Sequence, residues 1–190
     1  MGHSKADKAK SHERIVRVAA SRFRETGVDG IGVADLMKDA GLTHGGFYRH
    51  FDSREELVAE AVECALQDGG EAVAAVARIK QAPLAAVIDA YLSMVHRDNL
   101  AASCAVTTMA ADVARSNERA RSAYTQQVGV YLDLLTTLIP GDKEKTRRVK
   151  AIAALSALVG AVSMARAVND EKLSREILKS AADELKAQLG

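Results

Sequence analysis

The chain has no tryptophan, only three Phe and four Tyr, two Cys and two Pro in 190 residues. Each scarcity excludes something. Two cysteines, Cys64 and Cys104, placed far apart in sequence, rule out a disulfide framework and a Cys-rich zinc centre. With two prolines and 48% hydrophobic residues rich in Ala, Val and Leu, long stretches carry nothing that interrupts a helix, so an all-α fold is expected. Long apolar runs are missing as well. The longest, residues 151–165, lies between Lys150 and Arg166 and falls short of the roughly 20 residues a membrane span requires. A buried helix is expected there, and no membrane partner. The opening MGHSKADKAK is polar and basic without an apolar centre, and Ala6 stands where an N-myristoylation motif needs Ser or Thr. A cytoplasmic location is therefore expected. An excess of one charge is absent too: 26 Lys+Arg against 25 Asp+Glu leaves +1, which on its face argues against nucleic acid. That balance conceals an asymmetry. Residues 1–24 hold Lys5, Lys8, Lys10, Arg14, Arg17, Arg22 and Arg24 against Asp7 and Glu13, a basic head on an otherwise slightly acidic chain.

What is present is helical periodicity with clear punctuation. Ile15, Val18, Ala19 and Phe23 predict a helix over about 11–26, ended by Gly27, and Val33, Leu36, Met37 and Ala40 predict a second, ended by Gly41. A short helix over about 43–50 should carry Phe47 inward. Ser53-Arg54-Glu55-Glu56 is a capping box, in which Ser53 and Glu56 satisfy each other's amides, and it opens a long helix running toward Gly69-Gly70. Further helices are expected over about 83–98, with Pro83 in the first turn, then 104–115 capped by Ser103, 117–138, 145–168 and 171–189, about nine in all. The division expected is a disordered basic arm at 1–10, a three-helix unit at 11–52, and a larger helical bundle at 53–190, whose first helix is the connector.

The informative stretch is VADLMKDAGLTHGGFYRHF, residues 33–51. Ala40-Gly41-Leu42 supplies a small residue, a glycine able to take positive φ and an apolar residue, the makings of a helix-turn-helix corner. The helix after it exposes Thr43, His44, Gly45, Gly46, Tyr48, Arg49 and His50, a face of donors and one aromatic ring without an acid. Base-edge acceptors and phosphates in a major groove favour such a face.

At these residues the chain resembles the TetR/AcrR-type bacterial transcriptional regulators. Gly27-Val28-Asp29-Gly30, Ala40-Gly41-Leu42, Gly46-Phe47-Tyr48-Arg49-His50-Phe51 and Ser53-Arg54-Glu55-Glu56-Leu57 carry the likeness, over about 14–61. It implies that Thr43, His44, Gly46, Tyr48, Arg49 and His50 lie against DNA and that Arg54 holds the DNA backbone. Gly45-Gly46 stands where bulkier residues are common, which shifts weight toward phosphate contacts and DNA shape. For the second half the resemblance implies a ligand cavity within 83–138 and a four-helix bundle made by 145–168 and 171–189 with a second copy. Small residues on the first of these, and the stripe Leu173, Ile177, Ala181, Leu185, Leu189 on the second, suit that role. Leu155, Leu158, Val159, Val162, Ile177, Ala181 and Leu185 are the expected dimer contacts. Tyr91, Met94, Val95, Cys104, Met109, Tyr124 and Tyr131 are the expected cavity lining, since all three Phe residues belong to the DNA unit.

Cys104 admits two readings. In the first turn of a Ser103-capped helix its thiol would be acidified, and the string Tyr91-Leu92-Ser93, His96-Arg97-Asp98, Ser103-Cys104 resembles the NemR-like branch, in which a cysteine senses electrophiles or oxidants. The alternative is a small buried hydrophobe, which is the reading taken for Cys64. His96 near Ser93 and Asp98 lacks a nucleophile elbow and reads as a surface helix end, so neither catalysis nor a metal or other cofactor is expected. The expected function is a ligand-responsive repressor that binds a palindromic operator as a homodimer and is released by a small-molecule effector. The alternatives are a thiol-sensing repressor acting through Cys104, a helical module that never touches DNA, and a cysteine enzyme.

Overall fold

The computed structural model describes residues 5–78 and 81–190, and every described element is helical. Helix α1 (Lys5–Thr26) starts earlier than expected, so the part of the supposed disordered arm from Lys5 onward is helix; residues 1–4 lie outside the described residues. Lys5, Ala6, Lys8, Ala9 and Lys10 are good helix formers, and the apolar face of α1 begins only at Ile15, so the exposed first turns prolong a helix that is anchored further along. Ile15, Ala19, Ala20 and Phe23 form the buried face.

Helix α2 (Val33–Asp39) ends in a Schellman turn. Gly41 N–H donates to the Lys38 carbonyl at 2.9 Å and Leu42 N–H to the Met37 carbonyl at 2.8 Å, with Gly41 at φ +69°. A side chain at that φ would be strained, which is why glycine stands there. The next segment, His44–Arg49, is a 3-10 helix rather than the α-helix expected. Two adjacent glycines lower its α propensity, and Phe47 alone anchors it in the core.

Helix α3 (Arg54–Ala77) begins at the capping box and runs straight through Gly69-Gly70, where a stop was expected. Ser53 Oγ accepts from Glu56 N–H at 3.1 Å, and the Glu56 carboxylate accepts from Asp52 N–H at 2.6 Å, one residue earlier than the reciprocal pairing anticipated. The predicted 83–98 helix is two pieces, α4 (Pro83–Tyr91) and α5 (Met94–Asp98), because Ser93 leaves the helix to cap the second by accepting from His96 N–H. The predicted 104–115 helix is likewise split at Met109 into α6 (Ala105–Thr108) and α7 (Ala110–Ala114).

Three long helices finish the chain: α8 (Glu118–Leu138), α9 (Glu144–Ala167) and α10 (Glu171–Leu189). Helix α3 is the spine, packing on α1 at its start and on α8 and α4 further along, while α9 is held between α8 and α10. Ala151, Ala154, Leu155, Leu158, Ala161, Val162 and Ala165 of α9 face inward, as do Leu178, Ala182, Leu185 and Leu189 of α10. Helix α9 is long and apolar enough to cross a membrane by length and composition, but its inner face is core of the helical bundle.

Candidate nucleic-acid interface and the cavity behind it

The Schellman turn and the buried Phe47 present the 3-10 segment outward. Phe47 stacks on Phe51 at 5.4 Å between ring centroids and meets the ring of Tyr48 edge-on at 5.2 Å. Tyr48 is thereby braced at its base while remaining 75% exposed. Thr43, His44 and Arg49 are exposed beside it, and Gly46 is half-buried. Four side chains able to donate hydrogen bonds therefore share one convex face with no carboxylate among residues 43–50. Such a face suits acceptor-rich base edges and phosphates.

Two residues assigned to the DNA side on sequence are placed otherwise. Arg54 turns back into the protein: its guanidinium donates to the Val28 carbonyl and lies 3.5 Å from Asp29, tying the start of α3 to the loop after α1. It is a clamp between elements rather than a cation presented to a phosphate. His50 is half-buried, with its Nδ1 shielded and without a hydrogen-bond partner, 6.2 Å from the ring of His12. Burial foremost, then the charges of His12, Lys8 and Arg49, hold its pKa below the usual imidazole value. His12 itself stacks on Phe51 at 4.5 Å and pairs with Glu60 at 2.6 Å, so α1, the recognition segment and α3 meet there.

A buried cation joins this head to the bundle. Arg24, at the end of α1 and only 7% exposed, donates to the Ala101 carbonyl at 2.6 Å and the Ala65 carbonyl at 3.2 Å and pairs with Asp68 at 3.5 Å. Two of its partners, Asp68 and Ala101, directly precede Gly69 and Ala102 in the lining of a cavity of about 120 Å³, whose walls also include Val73, Val87, Tyr91, His96 and Cys104, with Ala72, Ala90 and Ala102 exposed around its mouth. Gly69 lies inside a helix for a packing reason: a Cβ there would stand 3.1 Å from the Tyr131 hydroxyl.

The polar groups around this cavity are already engaged. The Tyr91 hydroxyl bonds Thr107 Oγ1 at 2.6 Å. His96 Nδ1 lies 2.6 Å from the Tyr91 carbonyl, which makes it the protonated nitrogen, and Nε2 accepts from Cys104 N–H at 3.1 Å, with the Ser103 hydroxyl 3.0 Å away. Burial, against the opposing effect of the Tyr91 carbonyl and with help from Arg166, lowers the pKa of that imidazole. Arg166 of α9 donates to the carbonyls of His96 and Arg97 and to Ser103 Oγ, pinning the segment from below. Ser103 is thus spent on His96 and Arg166 and caps nothing. Cys104 is the N-cap residue itself, 4% exposed, with its thiol 3.5 Å from the Tyr131 hydroxyl. Burial first, then the neighbouring thiol, pushes the Tyr131 phenol well above its ordinary pKa. Among the described residues no cluster of His, Cys, Asp and Glu could hold a metal ion.

Residues 15–61 match the model of the tetR family of bacterial regulatory proteins. The HTH-type transcriptional repressor KstR2 of Rhodococcus jostii (strain RHA1) is 37% identical over 54 residues, 28% of this chain, and the match spans about a quarter of the repressor's own length (26%). A TetR transcriptional regulator from Chloroflexus aurantiacus J-10-FL superimposes with a TM-score of 0.78 at 25% identity, covering 96% of this chain and 95% of that one. Residues 15–61 thus carry a DNA-binding unit of the tetR type, and the chain as a whole shares its fold with a TetR transcriptional regulator. The fold is shared with reduced Escherichia coli NemR at a TM-score of 0.78 and 18% identity, over 94% of this chain and 96% of NemR.

The cavity takes only part of the lining expected from sequence. Tyr91 and Cys104 line it, and Tyr131 stands behind Cys104 and lines a small void of about 10 Å³ beyond Val73 and Val87. Val95 is 77% exposed on the one-turn helix α5 and faces solvent. Met109 is fully buried core, Met94 packs against that core from its edge, and Tyr124 donates its hydroxyl to the Val106 carbonyl; none of the three lines the cavity. Gly69, Ala72, Val73, Val76, Val87, Ala90, His96 and Ala102 were missed. Small and apolar residues on helices carry no signal of a cavity by themselves.

The expected dimer contacts divide as well. Leu155, Leu158, Val162 and Leu185 are buried inside this chain, where they join α9 and α10 to the rest of the bundle. Val159, Ile177 and Ala181 are half-buried at the outer side. They border a stripe of exposed Val149, Ile152, Met164 and Leu173, interspersed with Ala153, Ser156, Gly160 and Ser163.

Proposed function

We propose that this TetR-type regulator is a homodimeric repressor that binds a palindromic operator through residues 43–49 and is released by a small effector held in the cavity beside Cys104. The observation that carries the reading is the donor-rich, acid-free face around Tyr48, held outward by the Phe47 anchor. Thr43, His44, Tyr48 and Arg49 reach bases and phosphates, Gly46 lets the backbone approach the DNA closely, and His50 supports the segment from its inner side. Two such heads in a dimer would lie about 34 Å apart, one turn of DNA, or a multiple of it.

Dimerisation is supported by the outer face of α9 and α10. Val149, Ile152, Met164 and Leu173 are large apolar residues left exposed on one chain, and Gly160 with its small neighbours lets a second helix pair approach closely. Ile152 is 49% exposed, so Ile152→Asp should leave the monomer folded while placing a charge in the interface. Sedimentation should then report a monomer, and binding to a two-half-site operator should fall to that of a single head.

The route from effector to operator runs through α3 and the 100–104 segment. Gly69 and Ala102 of the cavity wall are immediate chain neighbours of Asp68 and Ala101, which hold Arg24 of α1. An occupant that parts these walls changes the seat of Arg24 and so the angle of the head. Because the two binding events share one conformational equilibrium, effector and operator weaken each other by the same factor. Reversible occupancy is favoured over covalent sensing, since the Cys104 thiol is buried at the cavity floor against Tyr131.

The deciding experiment is fluorescence anisotropy on DNA from upstream of the gene. Sequence-selective binding that weakens steeply with salt is expected. Tyr48→Ala should reduce specific affinity by about 10- to 100-fold without altering the dimer. Equal affinity for operator and scrambled duplex would remove the repressor reading.

A further inference from the structure

We infer that the effector is a neutral, predominantly apolar molecule about the size of a benzene ring. The inference deepens the repressor reading and rests on it for the effector role, though not for the binding site. The cavity holds about 120 Å³, continues toward a void of about 10 Å³ bounded by Tyr131, Leu155 and Leu158, and is open to solvent between Ala72, Ala90 and Ala102. An apolar protein cavity of roughly 150 Å³ stays dry and admits benzene, so this one accepts a single small ring or a compact branched chain and excludes a fused polycycle.

Its chemistry narrows the class further. No Lys, Arg, Asp or Glu lines it, so nothing compensates a charged ligand for lost hydration. The hydrogen-bonding groups that face it are engaged with protein: Tyr91 with Thr107, His96 through both nitrogens, and the Cys104 thiol with the Tyr131 hydroxyl. A ligand with several polar groups would bury them unpaired or break these bonds, and either is costly. Val73, Val76, Val87 and the face of Tyr91 supply the apolar contact instead. At most one weak polar contact, to the Cys104 sulfur, is available to set orientation.

Fluorobenzene is the probe, followed by fluorine NMR on the intact dimer, with 4-fluorobenzoate as the charged counterpart. Saturable fluorobenzene binding with a dissociation constant on the order of 0.1–1 mM is expected, with none for 4-fluorobenzoate. Ala90→Phe puts a ring at the exposed mouth, where it leaves the helical core untouched, and should abolish that binding with the melting curve unchanged. In the anisotropy assay the same concentrations of fluorobenzene should release operator from the wild type and not from Ala90→Phe. Three results would overturn the inference: no fluorobenzene binding, binding that persists undiminished in Ala90→Phe, or tighter binding of 4-fluorobenzoate. Occupancy that leaves operator affinity unchanged would overturn the effector role. Failure of the repressor reading itself looks different, as loss of sequence selectivity in ligand-free protein.

Discussion

Exchange of Arg24 for methionine should lower the melting temperature by about 5–10 °C, corresponding to a loss of about 2–3 kcal/mol in a chain of this size. Methionine keeps much of the apolar length of the side chain and removes the guanidinium, so the change isolates its polar contacts. Those contacts reach three places at once: the Ala65 carbonyl and Asp68 on α3 and the Ala101 carbonyl before the cavity segment. Ala65 C=O retains its bond within α3, and Asp68 is near enough to solvent to be hydrated. Ala101 C=O loses its short charged donor outright, so most of the cost falls on the 100–102 turn. Hydrogen exchange should therefore quicken at Leu100–Ala102 and at the last turn of α1 while the α9–α10 pair stays protected. The functional consequence follows from the same geometry. A head no longer fastened to the residues that adjoin the cavity wall should still bind operator, but fluorobenzene should no longer release it. Full release in Arg24→Met, at wild-type concentrations, would show that coupling runs through other contacts, such as those of α3 with α1 nearer the head.

Arg24 also marks where sequence reading reaches its limit. Counted in the sequence, it is one of seven basic residues in a positively charged head; in the fold it is buried and engaged with backbone carbonyls and Asp68. The helix-turn-helix was legible because its determinants are local. A Schellman turn is specified by Ala40-Gly41-Leu42 alone, and the α3 start by Ser53 and Glu56. The cavity was not legible, because it is assembled from α3, α4, α5 and the 102–104 segment, and a small residue becomes a cavity wall only through what faces it. Gly69 shows this. In sequence Gly69-Gly70 reads as a helix stop, whereas α3 continues through it and the missing side chain makes room for Tyr131, 62 positions later. The outer face of α10 misled for a different reason. Its apolar positions come in adjacent pairs, Ile177 with Leu178 and Ala181 with Ala182, so periodicity identifies a stripe without saying which member points inward. Leu178 and Ala182 point inward, and the first-named members are left outside.

The largest single effect should come from Phe47→Ala. Truncation of a fully buried phenylalanine costs about 3–5 kcal/mol, and little local structure stands in reserve to resist it. The 3-10 segment is six residues long, contains two glycines and has no side-chain cap at Thr43, so tertiary anchorage holds it rather than helix propensity. Phe47 is that anchor, set between Phe51 on one side and the edge of Tyr48 on the other. Its removal frees the Tyr48 ring and lets the segment leave the α2 corner, so the recognition face loses its shape before the bundle loses anything. Operator affinity should fall more than 100-fold, equivalent to about 2.7 kcal/mol of binding free energy. Far-UV helicity should change only slightly, and sedimentation should still report the dimer, because α8 packs on α3, α9 on α8 and α10 on α9, all away from this corner. Phe47→Leu, which refills most of the volume, should recover much of the binding. That ordering separates anchorage from direct DNA contact: Tyr48→Ala removes a contact and leaves the segment in place, whereas Phe47→Ala removes the segment's seat. A Phe47→Ala protein that binds operator within tenfold of the wild type would mean that the 43–49 segment holds its conformation on DNA without a core anchor, and that the donor-rich face is shaped by the operator rather than presented to it.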